Sequence, residues 1–221
     1  FHILEAAREC QNVKAIVSVT TDKCYENKEW VWGYRENEPM GGYDPYSSSK
    51  ACAELVTGAY RRSFFQEREV YMASARAGNV IGGGDWAEDR LIPDALRSFD
   101  KENAVVIRNP KATRPWQHVL EPLSGYLMLA ESLYEEGAKF AEAWNFGPND
   151  QDCRPVQDVL EYLIDFWPRK ANWTQDPESH PHEANLLKLD CSKANSILNW
   201  QPKWDLETAI KKVVDWHTAW R

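Results

Sequence analysis

The sequence predicts an α/β protein built on a parallel sheet. Short apolar runs without strict alternation, such as residues 14–20, are typical of strands that are buried on both faces. Segments with apolar residues at helical spacing follow these runs, and the two kinds of element alternate along the chain. The 221 residues are enough to bury a sizeable core in one large domain or two small ones.

The first element is a helix that leads directly into a strand. Apolar side chains between residues 3 and 7 recur at helical spacing, so we expect the chain to begin inside a helix. The run at 14–20 then reads as a buried strand. A helix followed by a buried strand is half of a βαβ unit, so we expect this chain to be the later part of a longer protein.

A second helix is predicted at residues 45–66, after a long loop. Asp44 is a suitable N-cap for it, and Pro45 fits the first turn. A glycine-rich loop follows at 81–94 and enters a short helix. Further strands are predicted at 70–80, 104–110, 141–148 and 185–190, and further helices at 118–136, 156–167, 191–198 and 206–220. The second half has longer loops and more Trp and Pro, so we place a substrate-binding part there.

Composition excludes several classes of function. A net charge of -8 argues against a nucleic-acid partner, which usually needs a basic face. No apolar run is long enough to span a bilayer, and there is no signal-peptide pattern, so we expect no membrane partner. Five scattered cysteines without a C-x-x-C pair favour reduced thiols in the cytoplasm over disulfides or a metal site.

Residues with catalytic potential come from two neighbouring elements. Thr21 and Asp22 follow the carboxyl end of the first strand, and ligands bind at that edge of an open α/β sheet. Tyr46 and Lys50 are four residues apart on the predicted helix and share a face. A nearby ammonium lowers the pKa of a tyrosine and makes it a usable base. On spacing alone, a surface Tyr–Lys pair and a simple turn explain the pattern equally well.

Longer strings resemble a known family. The order of strand, Thr-Asp, loop, Tyr-x-x-x-Lys and then "RAGNV" resembles the extended short-chain dehydrogenase/reductases that modify nucleotide sugars. "TDKCYEN", "WVWGYRENEPMGGYDPYSSSK", "ARAGNVIGGGDWAEDRLIPD" and "RNPKATRPWQHVLEPLSGYL" resemble, more narrowly, the CDP-glucose 4,6-dehydratases, and the resemblance runs on to "LNWQPKW". Lys23 sharpens it, because the related dTDP-glucose enzymes have a glutamate there.

The resemblance implies a Rossmann-like parallel sheet whose first strands are missing, with a smaller α/β substrate-binding domain. Residues 1–82 would be the C-terminal part of the NAD-binding domain. Residues 83–221 would mainly bind the nucleotide sugar, with segments that return to the sheet. The glycine-rich turn that holds the NAD pyrophosphate is not found in the right context. We therefore expect weak NAD binding by this chain alone, and a homodimer through the helix that carries Tyr46.

The resemblance also implies an internal redox elimination that converts CDP-glucose to CDP-4-keto-6-deoxyglucose. Tyr46 would be the base at the 4-hydroxyl, and Lys50 would be its electrostatic partner and contact the nicotinamide ribose. Thr21 would hydrogen-bond the same oxygen, and Asp22 would protonate the departing 6-hydroxyl. Lys23 would be the base at C5 if neutral, or would stabilise the enolate if charged. We favour the base.

Four further residues are candidates for substrate binding. Asn79 and Arg114 suit the diphosphate, because the guanidinium fork pairs with two oxygens. Arg90 and His182 are weaker candidates near the nucleotide end. Each of the four has a plain alternative as a surface ion pair or loop contact. We expect His118 to cap or pack rather than to catalyse.

Two other functions stay open on the sequence. One is a nucleotide-sugar epimerase on the same scaffold, although an epimerase needs no acid and base for eliminating water, so the Asp22–Lys23 pair argues against it. The other is an inactive fragment that only binds or oligomerises, which the missing glycine-rich turn favours for the isolated chain.

Overall fold

A computed structural model describes residues 1–178 and 185–221. The helices are α1 (His2–Glu9), α2 (Pro45–Tyr60), α3 (Leu91–Asp100), α4 (Leu120–Glu136), α5 (Val156–Phe166), α6 (Ser192–Ile197) and α7 (Leu206–Trp220). The strands are β1 (Ala15–Val19), β2 (Tyr71–Ala77), β3 (Asn79–Ile81), β4 (Val105–Ile107), β5 (Thr113–His118), β6 (Ala143–Phe146), β7 (Cys153–Pro155) and β8 (Trp173–Gln175). No helix within these ranges is both long enough and apolar enough to cross a membrane.

A parallel sheet with the order β1-β2-β6 is the centre of the first part of the fold. Successive strand residues point to opposite faces. Ile16 and Met72 therefore face α1 and α2, whereas Ala73 and Ala75 face α4. With helices on both faces, the strands lose the alternation of polar and apolar residues, and the predicted α/β class with a parallel sheet is confirmed.

The second part packs α3, α5 and α7 around a separate core next to the smaller sheets β3-β5-β7 and β4-β8. The predicted strand at 70–80 is wrong as one element, because it divides at Gly78 into β2 and β3. A Cβ atom at Gly78 would lie 2.4 Å from Pro115 Cγ, so the chain changes sheets where β5 approaches its backbone.

Other differences from the predicted elements concern short, polar segments. Strands β5, β7 and β8 were not predicted, because β5 and β7 carry Pro and Arg in place of an apolar alternation and β8 is only three residues long. The strand predicted at 185–190 is wrong, since only isolated bridges at Leu186 and Leu189 form there. The helix predicted at 45–66 is α2, which ends at Tyr60 and continues as a π-helical turn at Arg61–Phe65.

A buried ion pair fixes α2 against the central sheet. Arg76 Nη2 of β2 lies 2.7 Å from Glu54 Oε2 of α2, and both side chains are almost fully buried. Glu54 also accepts hydrogen bonds from Thr20 and Ser74, and Arg76 donates to Tyr25 Oη at 2.7 Å. Burial alone would raise the pKa of Glu54, but the hydrogen bond and charge of Arg76 hold it below its usual value. The pair therefore stays ionised and sets the position of the helix.

Glu54→Ala should destabilise the fold by about 3–5 kcal/mol, because it leaves the Arg76 charge buried without its carboxylate. Urea unfolding of the variant and of the unsubstituted protein measures the difference in their free energies of unfolding. Glu136→Ala is the matched control, since Glu136 pairs with Lys139 on the surface and such pairs contribute about 0–1 kcal/mol. Equal losses in the two variants would contradict the role of the buried pair.

Candidate active site

A cleft of about 700 Å³ opens where the carboxyl ends of β1 and β2 meet the second part of the fold. It brings together most of the residues that the sequence singled out. Those lining the cleft are Thr21, Asp22, Lys23, Tyr46, Asn79, Arg90 and Arg114. Lys50 does not line it, and His182 lies outside the described residues.

Asp22 is the most unusual group in the cleft. Its side chain is 2 % exposed, and Thr21 Oγ1 donates a hydrogen bond to Oδ1 at 2.9 Å. Oδ2 has no hydrogen-bond partner among the residues that the structure describes. Burial raises the pKa of Asp22 from 3.8 to about 6, against the lowering effects of the Thr21 hydrogen bond and the Lys23 and Arg114 charges. This carboxyl can therefore hold a proton close to neutral pH, as an acid catalyst must.

Local structure presents Asp22 and its neighbours to the cleft. After β1 the chain turns into a short 3₁₀ helix at Asp22–Cys24, for which Thr21 is the N-cap. The Thr21 hydroxyl thus accepts from Lys23 N at 3.4 Å while it donates to Asp22. A side chain at Gly78 would meet Asp22 Oδ2 at 3.1 Å, so the absence of a side chain there leaves room beside this buried oxygen.

Tyr46 lies at the start of α2 beside two lysines. Asp44 caps this helix by accepting from Ser47 N at 3.0 Å, as predicted. Lys50 Nζ is 5.5 Å and Lys23 Nζ 5.9 Å from the centroid of the Tyr46 ring. Tyr46 is 52 % exposed and faces the cleft mouth, so its hydroxyl is accessible to a ligand.

The cations on the opposite wall differ in burial. Arg114 on β5 is buried, and its Nη1 donates to the Thr113 carbonyl at 3.0 Å. Arg90 is exposed and pairs with Asp85 at 3.2 Å. Arg108 also lines the cleft and was missed from the sequence. It directly follows β4, but the strand predicted at 104–110 placed it inside the strand, so the sequence hid its position at a strand end.

Two residues near α4 have structural roles. His118 Nδ1 accepts from Leu120 N at 3.2 Å, so this histidine caps the helix as expected. Glu121, for which the sequence suggested no role, is buried and accepts from Lys203 N at 2.9 Å and Trp204 N at 3.1 Å. It joins α4 to the segment before α7, and neither residue lines the cleft.

The described residues fit one end of a dinucleotide only. Tyr46 presents a hydroxyl to the cleft and the Lys50 ammonium lies 5.5 Å from the centroid of its ring, and such a pair suits a ribose. No glycine-rich turn from a strand into a helix occurs beside the central sheet in residues 1–178 and 185–221. The glycine run at 82–84 instead leaves β3 and packs against Trp216.

A family match is consistent with this geometry. Residues 1–213 match the sequence model of the GDP-mannose 4,6 dehydratase family. The chain belongs to this family.

Two dehydratases are similar to this chain in sequence. The chain is 59 % identical to CDP-glucose 4,6-dehydratase of Salmonella typhimurium over 224 residues, covering 99 % of this chain but 62 % of that protein. It is 24 % identical to a dTDP-glucose 4,6-dehydratase of Xanthomonas campestris, covering 90 % of this chain and 56 % of that protein. The chain therefore spans about three fifths of the length of these relatives.

Solved structures with the same fold include dehydratases and epimerases. dTDP-glucose 4,6-dehydratase from Bacillus anthracis in complex with NAD matches with a TM-score of 0.78 at 21 % identity, covering 98 % of this chain and 65 % of that one. UDP-glucuronic acid 4-epimerase from Bacillus cereus matches with a TM-score of 0.84 at 18 % identity, covering 99 % and 66 %. The predicted Rossmann-like α/β fold is confirmed.

Asp22→Asn should change the pH dependence of stability. The pKa of Asp22 is about 6 in the folded chain and 3.8 ordinarily. The free energy of unfolding therefore falls as the pH rises from about 4 to 6, and it stays at the lower value above pH 6. We expect the variant to match the unsubstituted chain near pH 4 and to be more stable at pH 7, by up to about 3 kcal/mol. Urea unfolding from pH 4 to 8 measures this.

Asp165→Asn is the control for that experiment, because Asp165 is an exposed carboxylate on α5. It should shift stability little at any pH. A difference between Asp22→Asn and the unsubstituted chain that is constant from pH 4 to 8 would show that Asp22 does not hold a proton unusually strongly.

Proposed function

We propose that this chain carries the catalytic residues of a nucleotide-sugar 4,6-dehydratase that converts CDP-glucose to CDP-4-keto-6-deoxyglucose. The observation that carries the proposal is the buried Asp22 carboxyl, whose Oδ2 has no hydrogen-bond partner among the described residues, in one cleft with Thr21, Lys23 and Tyr46. The 59 % identity to a Salmonella CDP-glucose 4,6-dehydratase supports the substrate.

The proposed reaction begins at C4 of the hexose. Tyr46 takes the proton of the 4-hydroxyl, and Thr21 Oγ1 hydrogen-bonds the same oxygen. Bound NAD would accept a hydride from C4 and later return it to C6. Tyr46 and Lys50 would hold the nicotinamide ribose at the cleft mouth.

Elimination of water follows oxidation. The C4 ketone acidifies the C5 proton, and Lys23 removes it. Asp22 gives its proton to the 6-hydroxyl, which leaves as water while a C5–C6 double bond forms. When C6 is reduced, the Lys23 ammonium gives the proton back to C5. A protonated carboxyl in a buried site suits the elimination, whereas an epimerase has no leaving hydroxyl to protonate. Asp22 therefore favours a dehydratase over the epimerases that share the fold.

Substrate binding is divided between the two parts of the fold. We assign residues 1–82 to the cofactor side and 83–221 mainly to the nucleotide sugar. Arg114 would pair with the diphosphate, because it is buried at the cleft wall and its planar guanidinium can donate hydrogen bonds to two phosphate oxygens at once. Asn79 would lie beside it, and Arg90 would contribute from the rim.

The remaining proposals concern assembly and location. We propose a homodimer through α2, whose outer face exposes Leu55 and Cys52. The free thiols and the acidic net charge are compatible with a cytoplasmic enzyme without nucleic-acid or membrane partners.

The polypeptide that the gene encodes should convert CDP-glucose to a 4-keto-6-deoxy product without net formation of NADH, as product analysis and absorbance can show.

Tyr46→Phe should lower turnover by about 10² to 10⁴, because it removes the base at the 4-hydroxyl. Tyr134→Phe, on the exposed face of α4, is the control. The 221 residues alone should bind NAD weakly and show no turnover.

Product that keeps its 6-hydroxyl would contradict the dehydratase and favour an epimerase. Unchanged turnover in Tyr46→Phe would remove that residue from the mechanism. Ordinary turnover by the 221 residues alone would contradict the expected need for a glycine-rich turn.

Lys23→Met should stop the reaction after oxidation, because Tyr46 still works but C5 keeps its proton. Reduced nicotinamide should form on mixing with substrate, and C5 should not exchange with deuterated solvent. Lys23→Glu should retain part of the exchange, since a carboxylate of similar reach replaces the amine. If the Met variant exchanges C5 at the unsubstituted rate, Lys23 is not the base.

A further inference from the structure

The glycine-rich loop at residues 82–86 forms part of the cleft rim. Gly82 and Asp85 line the cleft. Gly83 instead lies against Trp216 of α7, where a Cβ atom would come within 2.2 Å of Trp216 Cδ2. The backbone at Gly83 is thus in direct contact with the indole, and α7 supports the loop from behind.

A second contact joins the same loop to the same helix. The Trp86 ring lies 4.6 Å from that of Trp220 and 6.2 Å from that of Trp216. Arg97 of α3 adds hydrogen bonds to the carbonyls of Trp86 and Ala87 at 3.0 and 3.2 Å. Helices α3 and α7 therefore both contact the loop, although Gly83, Gly84 and Trp86 remain exposed to solvent.

The end of α7 is itself held in place. His217 is buried, and its Nε2 lies 2.9 Å from Asp100 Oδ2 at the end of α3. Arg221 pairs with the other oxygen of the same carboxylate. The indole of Trp216 therefore projects from a helix end that is fixed to α3.

The loop cannot supply this order from its own sequence. Three consecutive glycines lose more backbone entropy on ordering than other residues, and Gly84 has a φ of +77°. External contacts must hold such a segment in one conformation. Trp216 is the side chain closest to Gly83, and it also lies 3.5 Å from the Cβ position at Gly84.

We propose that Trp216 is a positioning residue for the substrate cleft. Its indole packs against the Gly83 backbone, a contact we call the seating of the loop, and so holds Gly82 and Asp85 at the rim. Through the Asp85–Arg90 ion pair it also positions the Arg90 guanidinium there. Trp216 acts through the loop and does not line the cleft itself. The identity of the ligand as a nucleotide diphosphate sugar rests on the proposed function; the seating of the loop does not.

The first experiment measures the loop without any ligand. Trypsin cleaves after the exposed Arg90, and cleavage there requires the rim segment to open locally. Trp216→Ala should speed this cleavage by about tenfold, the factor that corresponds to a loss of one modest packing contact. Trp216→Phe should keep most of the protection. Trp32→Ala is the control, because Trp32 is an exposed tryptophan away from this loop.

Gly83→Ala separates the contact from general destabilisation. Its methyl group collides with the indole, so it should speed cleavage when Trp216 is present. In a Trp216→Ala background the same methyl group has room, and Gly83→Ala should add little. Additive effects of the two changes, or a Trp216→Ala cleavage rate equal to that of the unsubstituted protein, would overturn the seating.

The second experiment measures the consequence for binding, with the polypeptide that the gene encodes. Trp216→Ala should raise KM for CDP-glucose and Kd for CDP about tenfold. The value of kcat should stay within about twofold, because the change weakens binding of the substrate and of the transition state equally. Trp216→Phe should restore most of the affinity. Faster cleavage without weaker binding would overturn the positioning role and leave the proposed function intact. Failure of the unsubstituted protein to bind CDP would count against the proposed function, and the cleavage rates would still decide the seating.

Discussion

The buried ion pair between Arg76 and Glu54 is the constraint on which the catalytic part of the fold depends. It joins the helix whose first turn carries Tyr46 to the central strand that leads to Gly78. A buried charge pair is stable only while the two groups stay in contact, since separating them leaves each charge out of water and without its partner. The pair therefore fixes α2 along its axis, two helical turns from Tyr46. Because Glu54 also accepts a hydrogen bond from Thr20, the residue before Thr21, the same carboxylate ties α2 to the Thr21 turn.

Burial at the sheet edge has the opposite effect on Asp22. Glu54 has an arginine in contact and stays ionised, whereas Asp22 has a hydroxyl donor at Oδ1 and no hydrogen-bond partner at Oδ2 among the described residues, so burial raises its pKa. The pKa values of the two carboxyls are thus shifted in opposite directions although both groups are buried. One stabilises the structure as an anion, and the other is available as an acid.

The sequence predicted the parts of the fold and site that depend on local pattern. Apolar runs indicated β1 and β6, and Asp44 indicated the start of α2, because capping and burial follow from neighbouring residues. Strands β5, β7 and β8 were missed, because their pairing is decided by contacts between distant segments. Thr21, Asp22 and Tyr46 were found through their elements. Burial of Asp22 and the support given to the rim by Trp216 depend on tertiary packing that no local pattern contains.

The glycine run at 82–84 shows how one residue type can serve different physical needs. In a dinucleotide-binding turn, glycine lets the backbone approach a phosphate. Here the group that approaches Gly83 is the indole of Trp216. The missing side chain thus makes room for a neighbouring helix on one side, while the adjacent residues face the cleft on the other. A loop with side chains at these positions would have to move away from α7, and the rim would then narrow the cleft.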